Sequence, residues 1–188
     1  VQEMTTTNGV RVVLALPDRV AQAYALSGSL LARYEDFGGP AGMLGYPLSD
    51  ASSRGRQNFE NGVLAGAPVR LVSGALLTRW QALGLETGTA GSPVSEVASF
   101  FTFAATSGMQ QAFAAGSLYS LPSANRVYIT TGAIHQKYVQ LGGPGGRLGA
   151  PTHDDLAVGG GRLQDVEGSA LPVAAGAAEP SAEESPRQ

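Results

Sequence analysis

Apolar residues recur at helical spacing in three short stretches of this chain. In the first stretch Leu30, Leu31, Tyr34 and Phe37 fall on one side of a helix, and charged residues such as Arg33 fall on the other. An apolar face repeated every three to four residues predicts an amphipathic helix that packs on a core. The same face recurs further along as Leu76, Leu77, Trp80 and Leu83, and again as Ile134, Tyr138 and Leu141.

Stretches rich in valine and leucine precede each predicted helix and have the character of strands. Before the first helix, residues 10–14 and 20–26 predict a hairpin, with turns at Asn8-Gly9 and Leu16-Pro17-Asp18. Corresponding strands are predicted before the second and third helices at residues 63–64, 69–72, 118–119 and 127–129. Each helix is therefore predicted to follow a β-hairpin.

Glycines, aromatic residues and prolines follow each predicted helix start at fixed distances. In each of three copies a glycine is followed by an aromatic residue after six positions, by a second glycine after seventeen and by a proline after nineteen. Three matches at unchanged spacing indicate a tandem repeat. The copies comprise Gly28, Tyr34, Gly45 and Pro47; Gly74, Trp80, Gly91 and Pro93; and Gly132, Tyr138, Gly149 and Pro151.

The predicted fold class is α+β, with tandem repeats of β-hairpin, short helix and Gly/Pro loop packed into one compact, pseudo-symmetric domain. The glycines that begin the hairpins, at positions 9, 62, 116 and 168, are separated by 53, 54 and 52 residues. They divide the domain, residues 9–173, into units 9–61, 62–115 and 116–167 and a single closing strand 168–173. A polar segment, 1–8, precedes it, and the Ala/Gly/Pro/Ser/Glu-rich tail, 174–188, is expected to be disordered.

Composition excludes several classes of protein. The net charge is −3 over 188 residues and there is no basic stripe, which disfavours nucleic acid as a partner. The chain has no cysteine, so it can form neither a disulfide nor a thiolate zinc site. No apolar run reaches the roughly 20 residues that span a bilayer, and the first residues do not read as a signal peptide.

One cluster, His153-Asp154-Asp155, has side chains suited to metal binding or acid–base chemistry. Adjacent positions on an extended loop point apart, and no second histidine completes the set, since His135 is expected on the solvent side of its helix. The motifs of serine hydrolases, zinc proteases and nucleotide-binding proteins are absent. The sequence therefore predicts no catalytic residue, no metal site and no cofactor.

The loop after each helix resembles the LGFP repeat family. Its signature reads Leu44-Gly45-Tyr46-Pro47 in the first copy and Leu148-Gly149-Ala150-Pro151 in the third, each followed by an acid at the third position beyond the proline. The second copy departs from the pattern at 85–90 and at Ser92, which makes a ligand contact by that loop doubtful. The resemblance covers residues 9–173.

The resemblance implies an extracytoplasmic module of actinobacterial cell-envelope proteins. Modules of this family form compact rings of small α+β repeats, accompany mycoloyltransferases and amidases, and are thought to attach them to wall polysaccharide. The implied location is extracellular or cell-wall associated. The implied function is non-catalytic binding of arabinogalactan or peptidoglycan, with similar shallow sites on successive units that act together.

Two other functions remain open at this point. The first is a structural or protein-interaction subunit of an envelope complex, with an envelope enzyme or another protein as partner. The second is a hydrolase centred on His153, Asp154 and Asp155.

The residues predicted to contact a ligand lie mostly outside the repeated pattern. The helix aromatics are assigned to the core, because they share a face with leucine or isoleucine. The recurring acids Asp50, Glu96 and Asp154 could either cap backbone N–H groups in the turn after the proline or accept hydrogen bonds from a sugar diol. The predicted ligand-binding residues are Tyr46, Asp50, Arg54, Arg56, Tyr119, Arg147, His153 and Asp154.

Overall fold

Three helices of nine residues each appear where the apolar pattern predicts them. They are α1 (Gly28–Asp36), α2 (Gly74–Ala82) and α3 (Gly132–Gln140). The structure is a computed structural model, and it describes residues 2–5, 11–16, 22–158, 161–168 and 170–174. Within these ranges no helix is both long enough and apolar enough to cross a bilayer.

The strands form four small antiparallel sheets in which neighbours along the chain pair with each other. Sheet 1 contains β1 (Gln2–Thr5), β2 (Arg11–Ala15) and β3 (Tyr24–Ser27). Sheet 2 contains β4 (Gln57–Phe59), β5 (Gly62–Ala65) and β6 (Arg70–Val72). Sheet 3 contains β7 (Ala98–Phe101), β8 (Ser107–Phe113), β9 (Gly116–Leu121) and β10 (Arg126–Thr131). Sheet 4 contains β11 (Leu156–Val158), β12 (Gly161–Asp165) and β13 (Ala170–Ala174).

Each predicted hairpin is part of a larger sheet, because at least one further strand precedes it. Some of these additional strands are short and polar, as β4 is with Gln57 and Asn58, and read as connections in the sequence, whereas β8 extends over seven residues. The closing strand is also not alone, since β13 pairs with β12 from Asp165↔Ala170 to Gly161↔Ala174 and completes a three-stranded sheet. The turn predicted at Asn8-Gly9, Pro17 and Asp18 of the second predicted turn, and residues 175–188 of the predicted tail lie outside the described residues.

Each helix packs between its own sheet and the next one. Helix α1 contacts β2, β3 and β5; α2 contacts β5, β9 and β10; α3 contacts β9, β10, β12 and β13. The buried side chains accordingly form three successive core clusters along the chain. None of the four sheets is closed, and the ring-like arrangement of units stays a prediction.

The glycines after each helix hold a backbone conformation that the second copy retains despite its different sequence. Two residues beyond the helices lie Gly38, Gly84 and Gly142, all left-handed with φ between 89° and 95°. The next residue is again left-handed, and in the second copy it is Leu85 at φ 57°. A left-handed leucine costs roughly 1 kcal/mol relative to glycine, and Leu85 packs against the second core cluster, which offsets that cost.

The three helix aromatics are core residues that hydrogen-bond the loop following their own helix. Tyr34 Oη donates to the carbonyl of Gly45 at 2.8 Å, and burial raises its pKa to about 12. The matching bonds are Trp80 Nε1 to Gly91 O at 2.8 Å and Tyr138 Oη to Gly149 O at 2.6 Å. The prolines after these glycines then bridge to a strand of the following sheet or its flank, as Pro47↔Phe59, Pro93↔Phe113 and Pro151↔Val166.

Three buried glutamines bind each loop to its neighbouring strands. Gln57, Gln111 and Gln164 are all 0% exposed. The Nε2 group of Gln57 donates to the carbonyls of Ala25 and Ser49 at 3.0 and 2.9 Å. Gln111 donates in the same way to Leu71 and Ser95, and Gln164 to His153 and Asp165. Because a buried carbonyl without a donor is costly, these glutamines stabilise the loop conformation.

The glycine of the loop should be more sensitive to substitution than the glycine that begins the helix. Gly149→Ala and Gly132→Ala both place alanine at positive φ, +68° and +55°, at about 1 kcal/mol each. A Cβ at Gly149 would also overlap Glu167, 2.8 Å from its Cβ, whereas nothing lies within 4 Å at Gly132. We expect Gly149→Ala to lower the free energy of unfolding in urea by roughly 1–3 kcal/mol more than Gly132→Ala. Equal losses would contradict the close approach.

Candidate functional site

A groove runs between the loop after Pro47, the β4–β5 turn and one face of α2. Its volume is about 560 Å³. The polar residues that line it are Asn58, Glu60, Asn61 and Gln81, and the apolar ones include Leu48 and Leu77. We call this site the amide groove.

The side-chain amides of the groove are uncommitted. In the described part of the chain, those of Asn58, Asn61 and Gln81 have no hydrogen-bond partner. Glu60 uses Oε2 to accept a bond from the backbone N–H of Tyr46 at 3.0 Å, and Leu48 is 46% exposed beside it. Amides both donate and accept, so this wall suits hydroxyl groups, and the leucines suit the C–H faces of a sugar.

A second, smaller groove brings together two of the predicted arginines. It has a volume of about 270 Å³ and lies between residues 52–56 and 84–87. Arg56 donates to Glu86 Oε2 at 2.9 Å, and the Glu86 side chain is only 9% exposed, so that charge pair is internal to the protein. Arg54 is exposed and has no ion pair within the described ranges. We call this site the loop groove; its one uncommitted cation is Arg54.

The three helices do not present chemically similar grooves, contrary to the sequence-based expectation. The position seven residues after the first helix glycine is Glu35 in α1, Gln81 in α2 and Val139 in α3. Glu35 is paired with Arg11 at 2.5 Å beside a groove of about 240 Å³. Val139 is 54% exposed. The equivalent helix position is therefore charged in α1, an amide in α2 and apolar in α3.

The prediction that Tyr119 is a surface residue is wrong. Tyr119 is 1% exposed, and its ring meets Tyr138 edge-on with centroids 5.6 Å apart. Burial raises the pKa of its hydroxyl, although hydrogen bonds to Thr130 and Ser117 act in the opposite direction. Every residue of the central strand β9 is buried, so an alternating inside–outside pattern does not apply to it.

Tyr46 and Arg147 differ in exposure. Tyr46 is half-buried and packs against the first core cluster, which leaves only part of its ring available to a ligand. Arg147 is exposed and has no ion pair among the described residues. Neither residue lines the amide groove or the loop groove.

The recurring acids serve mainly as architectural contacts. Asp50 accepts a hydrogen bond from the backbone N–H of Ala25 at 2.8 Å, and Asp154 accepts one from Ile129 at 2.9 Å. These N–H donors lie on β3 and β10, whereas the capping alternative expected donors in the turn after the proline. Asp154 also pairs with Arg79 of α2.

The acid of the second copy links two helix-and-loop segments. Glu96 pairs with Arg33 of α1 at 2.7 Å and with Arg70 at 3.1 Å. Arg33 and Arg79 occupy the same position in their helices, and each reaches the acid that follows the next helix. These pairs are partly exposed, so each contributes about 1 kcal/mol or less.

His153, Asp154 and Asp155 engage separate partners. The His153 side chain is 72% exposed, with Nδ1 3.4 Å from Asp165 Oδ2. The Asp155 side chain is 4% exposed and accepts hydrogen bonds from Thr131 and Arg162. Within the described ranges no three His, Asp or Glu side chains converge in a way that could hold a metal ion. The three side chains therefore do not converge on a common point where a ligand could bind.

The other histidine, His135, is half-buried rather than on the solvent side of α3. Its Nδ1 lies 2.8 Å from Thr130 Oγ1. Burial lowers its pKa from the ordinary value of 6.5. His135 is therefore predominantly neutral in the folded protein near neutral pH.

Comparison with known families identifies a segment that contains both grooves. The family model described as LGFP repeat matches residues 44–88. Every residue that lines the amide groove or the loop groove falls inside this range. Comparison with curated proteins gives no match.

His135 should make stability depend on pH. Because its folded pKa lies below 6.5, the unfolded chain binds a proton first, and the free energy of unfolding should fall as pH drops through 6.5. Urea unfolding between about pH 8 and about pH 5 measures this slope. His135→Gln should flatten it, whereas His153→Gln, at an exposed position, should leave it in place. A slope unchanged by His135→Gln would contradict the assignment.

Proposed function

We propose that the chain is a non-catalytic module that binds wall polysaccharide through the amide groove, because residues 44–88 match the LGFP repeat, a cell-wall-associated family. The carrying observation is that the uncommitted amides of Asn58, Asn61 and Gln81 line a groove wholly inside the matched segment. The proposed ligand is an uncharged stretch of arabinogalactan or peptidoglycan glycan. The proposed location is extracellular or at the cell wall.

The chemistry of the groove favours a neutral, hydroxyl-rich ligand. Each free amide offers two donors and an acceptor, which matches sugar hydroxyls that both donate and accept. Glu60 supplies the one carboxylate among the lining residues, and half of it is engaged by the backbone of Tyr46. Binding by amides depends little on ionic strength, because it does not rest on charge attraction.

The arrangement of acids supports binding rather than cleavage. Glycoside hydrolysis typically needs two carboxyl groups placed roughly 5–10 Å apart across the bond. Glu60 is the one carboxylate residue among those that line the amide groove. The side chains of the cluster at His153 contact separate partners. The absence of catalysis in this module is therefore part of the proposal.

Avidity should come from many protein copies on one polymer rather than from identical grooves within one chain. A shallow groove gives weak individual binding, and linked engagement of a repeating polymer multiplies it. The family also suggests that the units form a pseudo-symmetric ring. The packing of each helix between its own sheet and the next supports that arrangement.

A structural or protein-interaction role is the second candidate. Val94 and Val139, 51% and 54% exposed, offer apolar side chains for contact with a protein partner such as an envelope enzyme. Stoichiometric co-purification of a protein, together with no retention on wall polysaccharide, would select this role.

Removing the amides should weaken retention on wall polysaccharide. We expect Asn61→Ala with Gln81→Ala to lower the affinity measured in a pull-down with insoluble wall polysaccharide by about thirtyfold, since two hydrogen bonds of roughly 1 kcal/mol each are lost and each 1.4 kcal/mol is a factor of ten. Gln140→Ala, an exposed glutamine at the end of α3, is the matched control and should bind like the unaltered protein. Undiminished binding by the double variant would rule out this groove as the site.

A further inference from the structure

The β7–β8 hairpin holds two phenylalanine rings in solvent. Along this strand Phe100 and Thr102 point inward, 6% and 8% exposed, while Phe101 and Phe103 are 72% and 84% exposed. Such alternation is the geometry of an extended strand. The inward ring of Phe100 packs edge-on against Tyr119 at 6.2 Å. Phe101, at the end of β7, and Phe103, in the turn after it, therefore project from a hairpin that Phe100 anchors in the core.

The hairpin is held in place by its own hydrogen bonds. The N–H of Thr102 donates to Thr106 O at 2.9 Å, and the N–H of Ala105 donates to Thr102 O at 3.0 Å. The side chains of Thr102 and Thr106 face the carboxylate of Glu167 near the fourth sheet. Exposure of the rings is thus fixed by the fold around them.

The hairpin itself carries no charged residue, although the carboxylate of Glu167 lies beside Thr102 and Thr106. No Asp, Glu, Lys or Arg occurs from Val97 to Asn125. Val97 and Met109, 38% and 39% exposed, add further apolar surface. An apolar tip free of ionisable groups can leave water without the cost of desolvating a charge.

The size of the tip argues against a folded protein as its partner. The rings of Phe101 and Phe103 expose about 300 Å² between them. A stable protein interface buries roughly 800 Å² on each side. Residues 98–107 contain no amide or charged side chain to hydrogen-bond a sugar, unlike the amide groove. Partial insertion of a small, uncharged aromatic tip into a lipid layer requires neither a large area nor hydrogen bonds.

We propose that the hairpin tip, formed by Phe101 and Phe103, inserts into the interface of a lipid layer and anchors the protein peripherally. The attraction is apolar, so it requires no anionic headgroup. Anchoring is independent of the amide groove, which lies on other elements of the fold.

Flotation with vesicles of phosphatidylcholine alone tests the anchor in the full 188-residue chain. We expect the unaltered protein to float with the vesicles, and raising the salt to about 0.5 M should not release it. Phe101→Ser with Phe103→Ser should reduce the bound fraction at least tenfold. Met43→Ser, at a 61% exposed position in a different loop, is the matched control and should float normally.

A fluorescent variant gives a readout that does not depend on deleting the rings. In Phe103→Trp, the new indole should shift its emission to shorter wavelength with vesicles and be quenched by brominated phosphatidylcholine. The native Trp80 is 0% exposed and should stay unquenched. If the double serine variant failed to fold, the quenching of Phe103→Trp alone would show whether the tip inserts into lipid.

Four results would overturn the proposal. The first is no flotation and no quenching. The second is flotation that requires anionic lipid and disappears in salt. The third is a dimer in sedimentation equilibrium that the double serine variant converts to a monomer, which would assign the tip to a second copy. The fourth is loss of polysaccharide retention in the double serine variant, which would make the tip a sugar platform. Loss of retention in Asn61→Ala with Gln81→Ala would leave the lipid anchor untouched.

Discussion

In each of the three helix-and-loop segments a buried ring on the helix donates one hydrogen bond to the carbonyl of a glycine eleven residues later. That carbonyl can point inward because the glycine is left-handed, with φ of 69°, 75° and 68° in the first, second and third copies. The bond fixes the direction of the loop, and the proline two residues on then meets a strand or its flank beyond the loop. Removing the donor would leave a buried carbonyl unpaired, a cost of roughly 1–3 kcal/mol. Both grooves border these loops, since Leu48, next to Pro47, lines the amide groove and residues 84–87 line the loop groove.

The local part of this architecture is readable in the sequence, and the tertiary part is not. The helices are predicted correctly because an apolar face and a terminal glycine are signals within a dozen residues. The first strand of sheet 2 is missed because its residue Gln57 is polar, and its burial depends on carbonyls 8 and 32 residues away. Tyr119 is misassigned because β9 is covered on both faces. Of the predicted ligand residues, Arg54 and Arg56 do meet in a groove, since they are close in sequence.

The amide groove could not be predicted from the sequence for a different reason. Asn58 and Asn61 belong to the β4–β5 region and Gln81 to α2, and only the packing of that helix beside the turn brings them together. A cue existed in the comparison of copies, since the seventh position after the helix glycine changes from Glu35 to Gln81 to Val139. Positions that keep their identity hold the backbone, and positions that vary set the chemistry of each surface. Recognition and scaffold are thus carried by different residues of the same element.

The spacing of the helices has a consequence for how such chains can change length. The glycines that begin α1 and α2 are 46 residues apart, and those that begin α2 and α3 are 58 apart, yet their φ angles agree within a few degrees. The additional residues are accommodated in sheet 3, whose extra strand gives it the uncharged hairpin. The hairpin between one loop and the next helix is therefore a position where the chain accommodates insertions. Segments of new chemistry can be lengthened or exchanged there while the helix registers on either side stay as they are.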